Sequence, residues 1–289
     1  LRWWLQALGA DGRRLAPPGP RRLVVLFVLF PLFLGLQALH WCGLLLDELL
    51  FPGYRSVRVR EPVFISGIPR SGTTFVHRTL ARDETQFTSF RTWEAVFAPS
   101  ITQRRFIAAC AWLDRQLGAP LQRLMAVLTR RLTGSLEHIH EVGLQAYEED
   151  YLALLPAAGC FILVLAFPAD RGLWQLGRLS ELPAGQRRVL LDFYHACLQK
   201  HLYASGQGRR LLSKNAAFGS WLPALAQRYP DARFLVCVRD PATALRSQMS
   251  AVHPGLAVFA TAPGAGFIQR GFQDNITHTF EQLHELRRR

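Results

Sequence analysis

Residues 63–76 read VFISGIPRSGTTFV. The apolar run Val63–Ser66 reads as a buried strand. It meets a turn carrying Gly67, Pro69 and Gly72, and Thr73 opens an apolar helical pattern that runs to about Arg82. In the phosphate loop Gly-x-x-x-x-Gly-Lys-Ser/Thr, backbone N–H groups cradle phosphates and the lysine meets the outer ones. Gly67 and Gly72 keep that spacing, but Thr73 stands in the lysine's place. The start of a helix still offers free N–H groups and a partial positive charge to an anion. Arg70 adds a fork of donors, and Ser71, Thr73 and Thr74 add hydroxyls. Without the lysine, hydrolysis of a nucleoside triphosphate is disfavoured. The loop suits a nucleotide-borne phosphate that carries a transferable group. The plain alternative is a glycine turn between a strand and a helix.

Working outward, the chain alternates short apolar runs with helical periodicity. Arg210–Ser213 and Arg233–Val238 read as further strands. Helical patterns cover most of 100–145, then Gln186–Ala204, Trp221–Arg228, Ala242–Ser250 and Ile268–Arg288, while Cys160–Phe167 is an apolar run of either kind. Strands alternating with helices imply an α/β fold, a three-layer parallel sheet with flanking helices around a P-loop-like nucleotide site. In such sheets ligands bind beyond the carboxyl ends of the strands. A second strand end of the same character occurs in FLVCVRDPATALRSQMS, residues 234–250. There Arg239 follows an apolar strand, Asp240-Pro241 opens a helix with proline near its first turn, and Ser247 comes eight positions after Arg239. An arginine fork and a hydroxyl so placed can share one phosphate. A surface Arg–Asp helix cap is the plain alternative.

Together PRSGTT after a buried strand and the later Arg239/Ser247 pair resemble the donor site of sulfotransferases that use 3′-phosphoadenosine 5′-phosphosulfate (PAPS). The resemblance covers roughly Pro62 to Phe280, with its specificity in those two segments. It implies a 5′-phosphosulfate site at Arg70, Ser71, Gly72, Thr73 and Thr74, and a 3′-phosphate site at Arg239 and Ser247. It also implies transfer of a sulfuryl group to a hydroxyl or amine of a lipid, glycan or protein, with no metal required. Golgi-type members place a glutamate base some twenty residues beyond the loop, which falls here on Glu94, among Phe90, Trp93 and Phe97. An ordinary glutamate in the first turn of a helix is the plain reading of the same residue. Cytosolic members use a histidine, which makes His140 an alternate. The acidic run Glu148, Glu149 and Asp150 reads as a solvated helix start, or as a segment ordering an acceptor loop. His138, His140 and Glu141 match no zinc spacing.

Lysine is rare in this chain. Of 34 lysines and arginines only Lys200 and Lys214 are lysines, so 34 − 2 leaves 32 arginines. Lys214 ends a strand in RRLLSKNAAF, where a compact point charge suits a leaving oxygen or a sulfuryl group. The family has a lysine in a comparable segment, often followed by proline, and Asn215-Ala216 departs from that. The sequence bets on Glu94, Lys214 and Arg70 as catalytic groups. Lys200 reads as a surface residue. Competing readings are a P-loop kinase with a degenerate loop, or a nucleotide-binding scaffold without catalysis.

The net charge of +13 fits a basic surface or an anionic partner. Zinc-finger, basic-zipper and aromatic RNA-binding signatures are missing, which makes nucleic acid the weakest partner. Five cysteines, odd in number and widely spaced, read as buried thiols rather than a disulfide framework. From Leu23 to Leu46 run 24 residues with no Asp, Glu, Lys or Arg, enough to cross a bilayer. Pro31, Gln37 and His40 leave a bent or interfacial helix as the rival. The expected organisation is therefore a basic flank and a membrane-associated segment over 1–50, then the catalytic domain over 60–289. Opening on Leu1 and closing on three arginines, the sequence reads as a piece of a longer protein. Asn275-Ile276-Thr277 fits a glycosylation sequon but falls in a helical pattern.

Overall fold

Four short strands share one register at the centre of the computed structural model, which describes residues 2–121, 123–124, 143–206, 208–261 and 266–288. They are β1 (Val63–Gly67), β2 (Phe87–Thr88), β3 (Arg210–Lys214) and β4 (Arg233–Cys237), in the order β2-β3-β1-β4. Every pairing is parallel. Val63 faces Leu212 on one side and Arg233 on the other, and Phe87 faces Arg210. Alternation along β1 splits the core in two, because successive side chains point to opposite faces. Val63 and Ile65 pack with Leu212, Val76 and Leu80 on one face. Phe64 joins the larger core on the other, with Leu211, Phe218 and Trp221. The sheet is therefore covered on both sides at β1 and β3, as a parallel sheet requires, while the edge strand β4 leaves Leu235 and Val236 exposed.

The helices are α1 (Arg2–Leu8), α2 (Ala10–Leu15), α3 (Pro20–Val24), α4 (Phe30–Leu50), α5 (Thr73–Leu80), α6 (Thr92–Val96), α7 (Ile101–Gln116), α8 (Arg171–Gln175), α9 (Ala184–His201), α10 (Leu222–Arg228), α11 (Pro241–Val258) and α12 (Gly266–Arg288). The apolar run at Cys160–Phe167 becomes neither strand nor long helix but a single 3₁₀ stretch, Phe161–Leu165, sunk in the core.

A π-helical turn, Val25–Leu29, joins α3 to α4 into one helix, Pro20–Leu50. The turn precedes Pro31, whose ring clashes with a carbonyl one turn back and has no N–H to give. The wider turn, with Phe30 N–H donating to the Val25 carbonyl, accommodates it. Leu26 and Phe30 on this helix belong to the same core as Phe64 and Trp174. Arg22, at its start, is buried and donates to the carbonyls of Ala166 and Phe259, both at 3.0 Å. Gln37, His40 and Asp47 of this helix face inward. His40 meets the Val96 carbonyl at 3.1 Å, and Asp47 accepts from the Ile101 and Thr102 N–H groups at 2.9 and 2.8 Å, capping α7. The opposite face leaves Leu32, Leu39, Leu45 and Leu49 exposed. Among the described residues it is the one helix long and apolar enough to cross a membrane.

Two expectations change here, for Lys200 and for two of the cysteines. Lys200 is buried, not on the surface: its ammonium lies 3.0 Å from Asp47 and 3.2 Å from Glu48, over the ring of Tyr54 at 4.1 Å. The sequence marked it as surface because its partners come from Pro20–Leu50, about 150 residues away. Cys160 and Cys197 are buried free thiols as expected, but Cys42 and Cys110 are exposed. Asn275, in the sequon, is buried within α12.

Burying Lys200 is tolerable only with its carboxylates in place. Lys200→Ala leaves Asp47 charged and buried, and should cost about 3–5 kcal/mol in urea denaturation. Arg228→Ala, which breaks the exposed Arg228–Asp192 pair at 2.8 Å, should cost less than about 1 kcal/mol.

Candidate active site

The loop between β1 and α5 is built by two close approaches. Gly67 has φ +132°, and a Cβ there would lie 2.0 Å from the Cys237 carbonyl oxygen. The next N–H, of Ile68, donates to that same oxygen at 2.9 Å. Only glycine lets the ends of β1 and β4 come so near. Gly72, at φ +94°, then turns the chain into α5. Arg70 takes a left-handed φ of +65° without being glycine, a conformation that costs about 1–3 kcal/mol and that gathers at functional sites. The Ser71 hydroxyl donates to the Ile68 carbonyl at 2.6 Å and locks the turn. The first N–H groups of α5, at Thr73 and Thr74, lack an acceptor one turn back, which leaves a partial positive charge at this end of the helix.

The two sequence segments meet. Arg239 donates to the Arg70 carbonyl at 2.9 Å, and Arg70 Nε donates to the Ser247 hydroxyl at 3.2 Å. Asp240 caps α11 by accepting from the Thr243 N–H at 2.8 Å, which fixes Arg239 at the strand end and Ser247 nearly two turns along. Arg70 and Arg239 are exposed and Ser247 is half-buried, around one surface of the loop.

A cavity of about 750 Å³ opens beside them, within the range of small-ligand sites. Arg70, Gly72, Thr73, Thr74 and Arg239 form its polar end, and Tyr151, Phe161, Val164, Leu165 and Phe272 its apolar wall. Glu149 also lines it. This carboxylate pairs with the ammonium of Lys214 at the end of β3. Burial pushes the Glu149 carboxyl above its ordinary range, and Lys214 opposes the shift. His77, one turn into α5, is buried against Ser89 at 2.8 Å. Burial, then Lys214 and Arg78, lower it to about 3, so it is neutral.

Glu94 is placed elsewhere. It caps α6, where it accepts from the Arg91 N–H at 2.8 Å, and it meets Arg104 at 3.4 Å and Ser205 at 3.3 Å. It is buried and lines a separate cavity of about 390 Å³ with Ser89, Tyr147 and His201. His201, 3.8 Å away, is held well below its usual range by burial and by Arg104. Its neutral Nδ1 accepts from Arg104 at 3.0 Å, so Glu94 pairs with the arginine and not with the imidazole. The four strand ends thus carry, across the sheet, Glu94 (beyond β2), Lys214 with Glu149 (β3), the loop (β1) and Arg239 (β4). Sequence reasoning named Glu149 only as part of an acidic run. Its position just before Tyr151 and Leu152, which pack on the core, was the available signal that this run is not wholly solvated. His138, His140 and Glu141 lie outside the described residues. Among the described residues no group of three His, Cys, Asp or Glu converges on a metal-sized site.

The family pattern and the solved structures that match this chain agree with one another. The sequence pattern described as "Sulfotransferase family" matches residues 62–289, and the chain belongs to that family. Two solved structures share its fold. Sulfotransferase STF1 from Mycobacterium tuberculosis H37Rv superposes with a TM-score of 0.62 at 18% identity, over 98% of this chain and 74% of that one. Sulfotransferase STF9 from Mycobacterium avium gives 0.61 at 17%, over 82% of this chain and 58% of that one, so the chain spans less than two thirds of STF9's length. A search of curated protein sequences returns no match.

Next to Glu149, Asp150 is buried and accepts from the Tyr194 hydroxyl at 2.6 Å. Burial raises its carboxyl to about 6, against roughly 3.9 in an unfolded chain. Between those values the folded state binds more protons, so stability falls as pH rises from about 4 to about 6. Asp150→Asn should remove that component, worth up to about 3 kcal/mol at about 1.4 kcal/mol per unit. Thermal melts from pH 4 to 7 check this. An unchanged pH dependence in the variant would contradict it.

Proposed function

We propose that the chain transfers a sulfuryl group from PAPS to a hydroxyl of an acceptor that enters the apolar side of the cavity. The observation that carries this reading is the contact between the two phosphate segments: Arg70, Arg239 and Ser247 are bonded together although 169 positions separate the two arginines. One nucleotide with phosphates on both ribose ends matches that spacing better than a triphosphate does. A triphosphate needs the lysine that Thr73 replaces, and a Mg²⁺ held by the loop hydroxyl. The residues fit the donor. The N–H groups at the start of α5, with Ser71, Thr73 and Thr74, hold the 5′-phosphosulfate, while Arg239 and Ser247 hold the 3′-phosphate. Arg70 lies between the two, and Lys214 supplies positive charge near the sulfuryl oxygens. Sulfuryl transfer of this kind requires no metal.

The experiment is equilibrium binding of adenosine 3′,5′-bisphosphate in the presence of EDTA, followed by incubation with ³⁵S-labelled PAPS and a cell extract. Metal-free binding and label in an extract component are expected. Mg²⁺-dependent ATP binding that ignores the 3′-phosphate favours the degenerate kinase reading and contradicts this one.

The helix Pro20–Leu50 lies along a membrane surface rather than across it. Its polar side is fastened to the domain by His40, Asp47 and the Trp41 indole, which donates to the Pro156 carbonyl at 3.0 Å. Crossing the bilayer would drag α7 along or break those bonds. Its other side exposes a row of leucines, and α7 exposes Phe106 and Trp112. A helix with one fastened polar face and one free apolar face suits the interface. Co-flotation with phosphatidylglycerol vesicles is expected and should be lost in Leu39→Glu/Leu46→Glu. Flotation unaffected by those changes would contradict the assignment.

A further inference from the structure

We infer that Glu149, held by Lys214, is the general base that takes the acceptor's proton, and that Glu94 is a structural carboxylate. The inference rests on the sulfuryl-transfer reading. Three observations carry it.

The first is place. Glu149 lines the same cavity as Arg70, Thr73, Thr74 and Arg239, whereas Glu94 lines a different one. Lys214 ends β3, which pairs directly with β1, the strand that feeds the loop. Glu94 belongs beyond β2, one strand further out. With strands about 4.8 Å apart, Glu149 is the nearer carboxylate to a sulfur held at the loop.

The second is how each carboxylate is occupied. Both Glu94 oxygens are engaged, Oε2 by the Arg91 N–H and Oε1 by Arg104 and Ser205. Arg104 is itself buried and has its remaining charge balanced by Glu94. A proton placed on Glu94 would leave that guanidinium unpaired in the interior, an expensive state. Glu149 meets Lys214 through Oε1 alone, and the side chain remains partly open to the cavity.

The third is charge. Burial raises the Glu149 carboxyl and Lys214 holds it back from rising further. A carboxylate poised above its ordinary range is a better base, and the neighbouring ammonium favours its charged form. As the proton arrives on Glu149, the ion pair weakens. The Lys214 ammonium is then released to face the oxygens of the transferring group.

The step balances. The acceptor hydroxyl oxygen forms a bond to sulfur as the bond between sulfur and the 5′-phosphate oxygen breaks. That bond's electron pair leaves with adenosine 3′,5′-bisphosphate, and the hydroxyl proton passes to the Glu149 carboxylate and on to solvent. Asp150, the next residue, is turned away and held by Tyr194, with Ser213 beside it. It anchors the segment that carries Glu149.

The test uses the full chain, ³⁵S-labelled PAPS and a cell extract that the wild type labels. Glu149→Gln keeps the shape and removes the base. Its transfer rate should fall by about 100- to 1,000-fold, with adenosine 3′,5′-bisphosphate affinity within about threefold of wild type. The wild-type rate should fall on the acid side as the carboxylate is protonated, and that limb should vanish in Glu149→Gln. Glu149→Asp, which keeps a carboxylate at shorter reach, should recover part of the rate and the limb. Glu94→Gln should lower the thermal midpoint yet keep the acid limb. If Glu149→Gln folds, binds nucleotide and transfers at the wild-type rate, or if the acid limb disappears in Glu94→Gln instead, the inference is overturned while the sulfotransferase reading stands. A wild type that binds no adenosine 3′,5′-bisphosphate and labels nothing overturns both.

Discussion

Everything at the site depends on how closely β1 and β4 run at their carboxyl ends. Gly67 lies against the Cys237 carbonyl where no side chain fits, and Ile68 N–H bonds to the same oxygen. That contact puts the loop after β1 beside the helix start after β4. Without it, Arg239 could not reach the Arg70 carbonyl, nor Arg70 the Ser247 hydroxyl. A single glycine thus brings two segments distant in sequence into one basic surface. The left-handed Arg70 is the local strain that this arrangement carries.

Charge is organised on two scales. The chain is strongly basic, almost wholly through arginine, and its two lysines are both buried against carboxylates. Lys200 ties Asp47 and Glu48 of the long N-terminal helix to α9, which makes that helix part of the fold. Lys214 ties Glu149 to the end of β3, and Glu149 lines the cavity beside the loop after β1. Under the proposed reaction, the same chemistry serves stability in one case and reactivity in the other. The difference is the cavity: Glu149 opens onto one that the loop after β1 also lines, and Asp47 is sealed between helices.

Much of this was legible from the sequence because it is local. A buried apolar run followed by a glycine turn specifies strand, loop and helix within fifteen residues, and FLVCVRDP does the same for β4 and α11. The family resemblance rested on those two patches, and the pattern match over residues 62–289 agrees with it. What was not legible depends on contacts between distant segments. Glu94 has the right offset from the loop, but the offset cannot reveal Arg104 and the cap of α6. Glu149 sat in an acidic run that resembles a solvated helix start, and its burial follows from Lys214, 65 residues later. Lys200 looked like surface for the same reason. Gln37 and His40 did carry information: polar residues in an otherwise apolar helix marked the side that faces the domain.

The central claim is that one nucleotide bridges the two strand ends, with its 3′-phosphate on Arg239. Isothermal titration of adenosine 3′,5′-bisphosphate and of adenosine 5′-phosphate, against the wild type and Arg239→Ala, tests it directly. A charge-assisted contact of about 1.5–3 kcal/mol makes the bisphosphate bind the wild type about tenfold or more tighter, at about 1.4 kcal/mol per tenfold. The account predicts that this preference collapses in Arg239→Ala. Equal affinity of the wild type for both nucleotides, or a preference that survives the loss of Arg239, would contradict it.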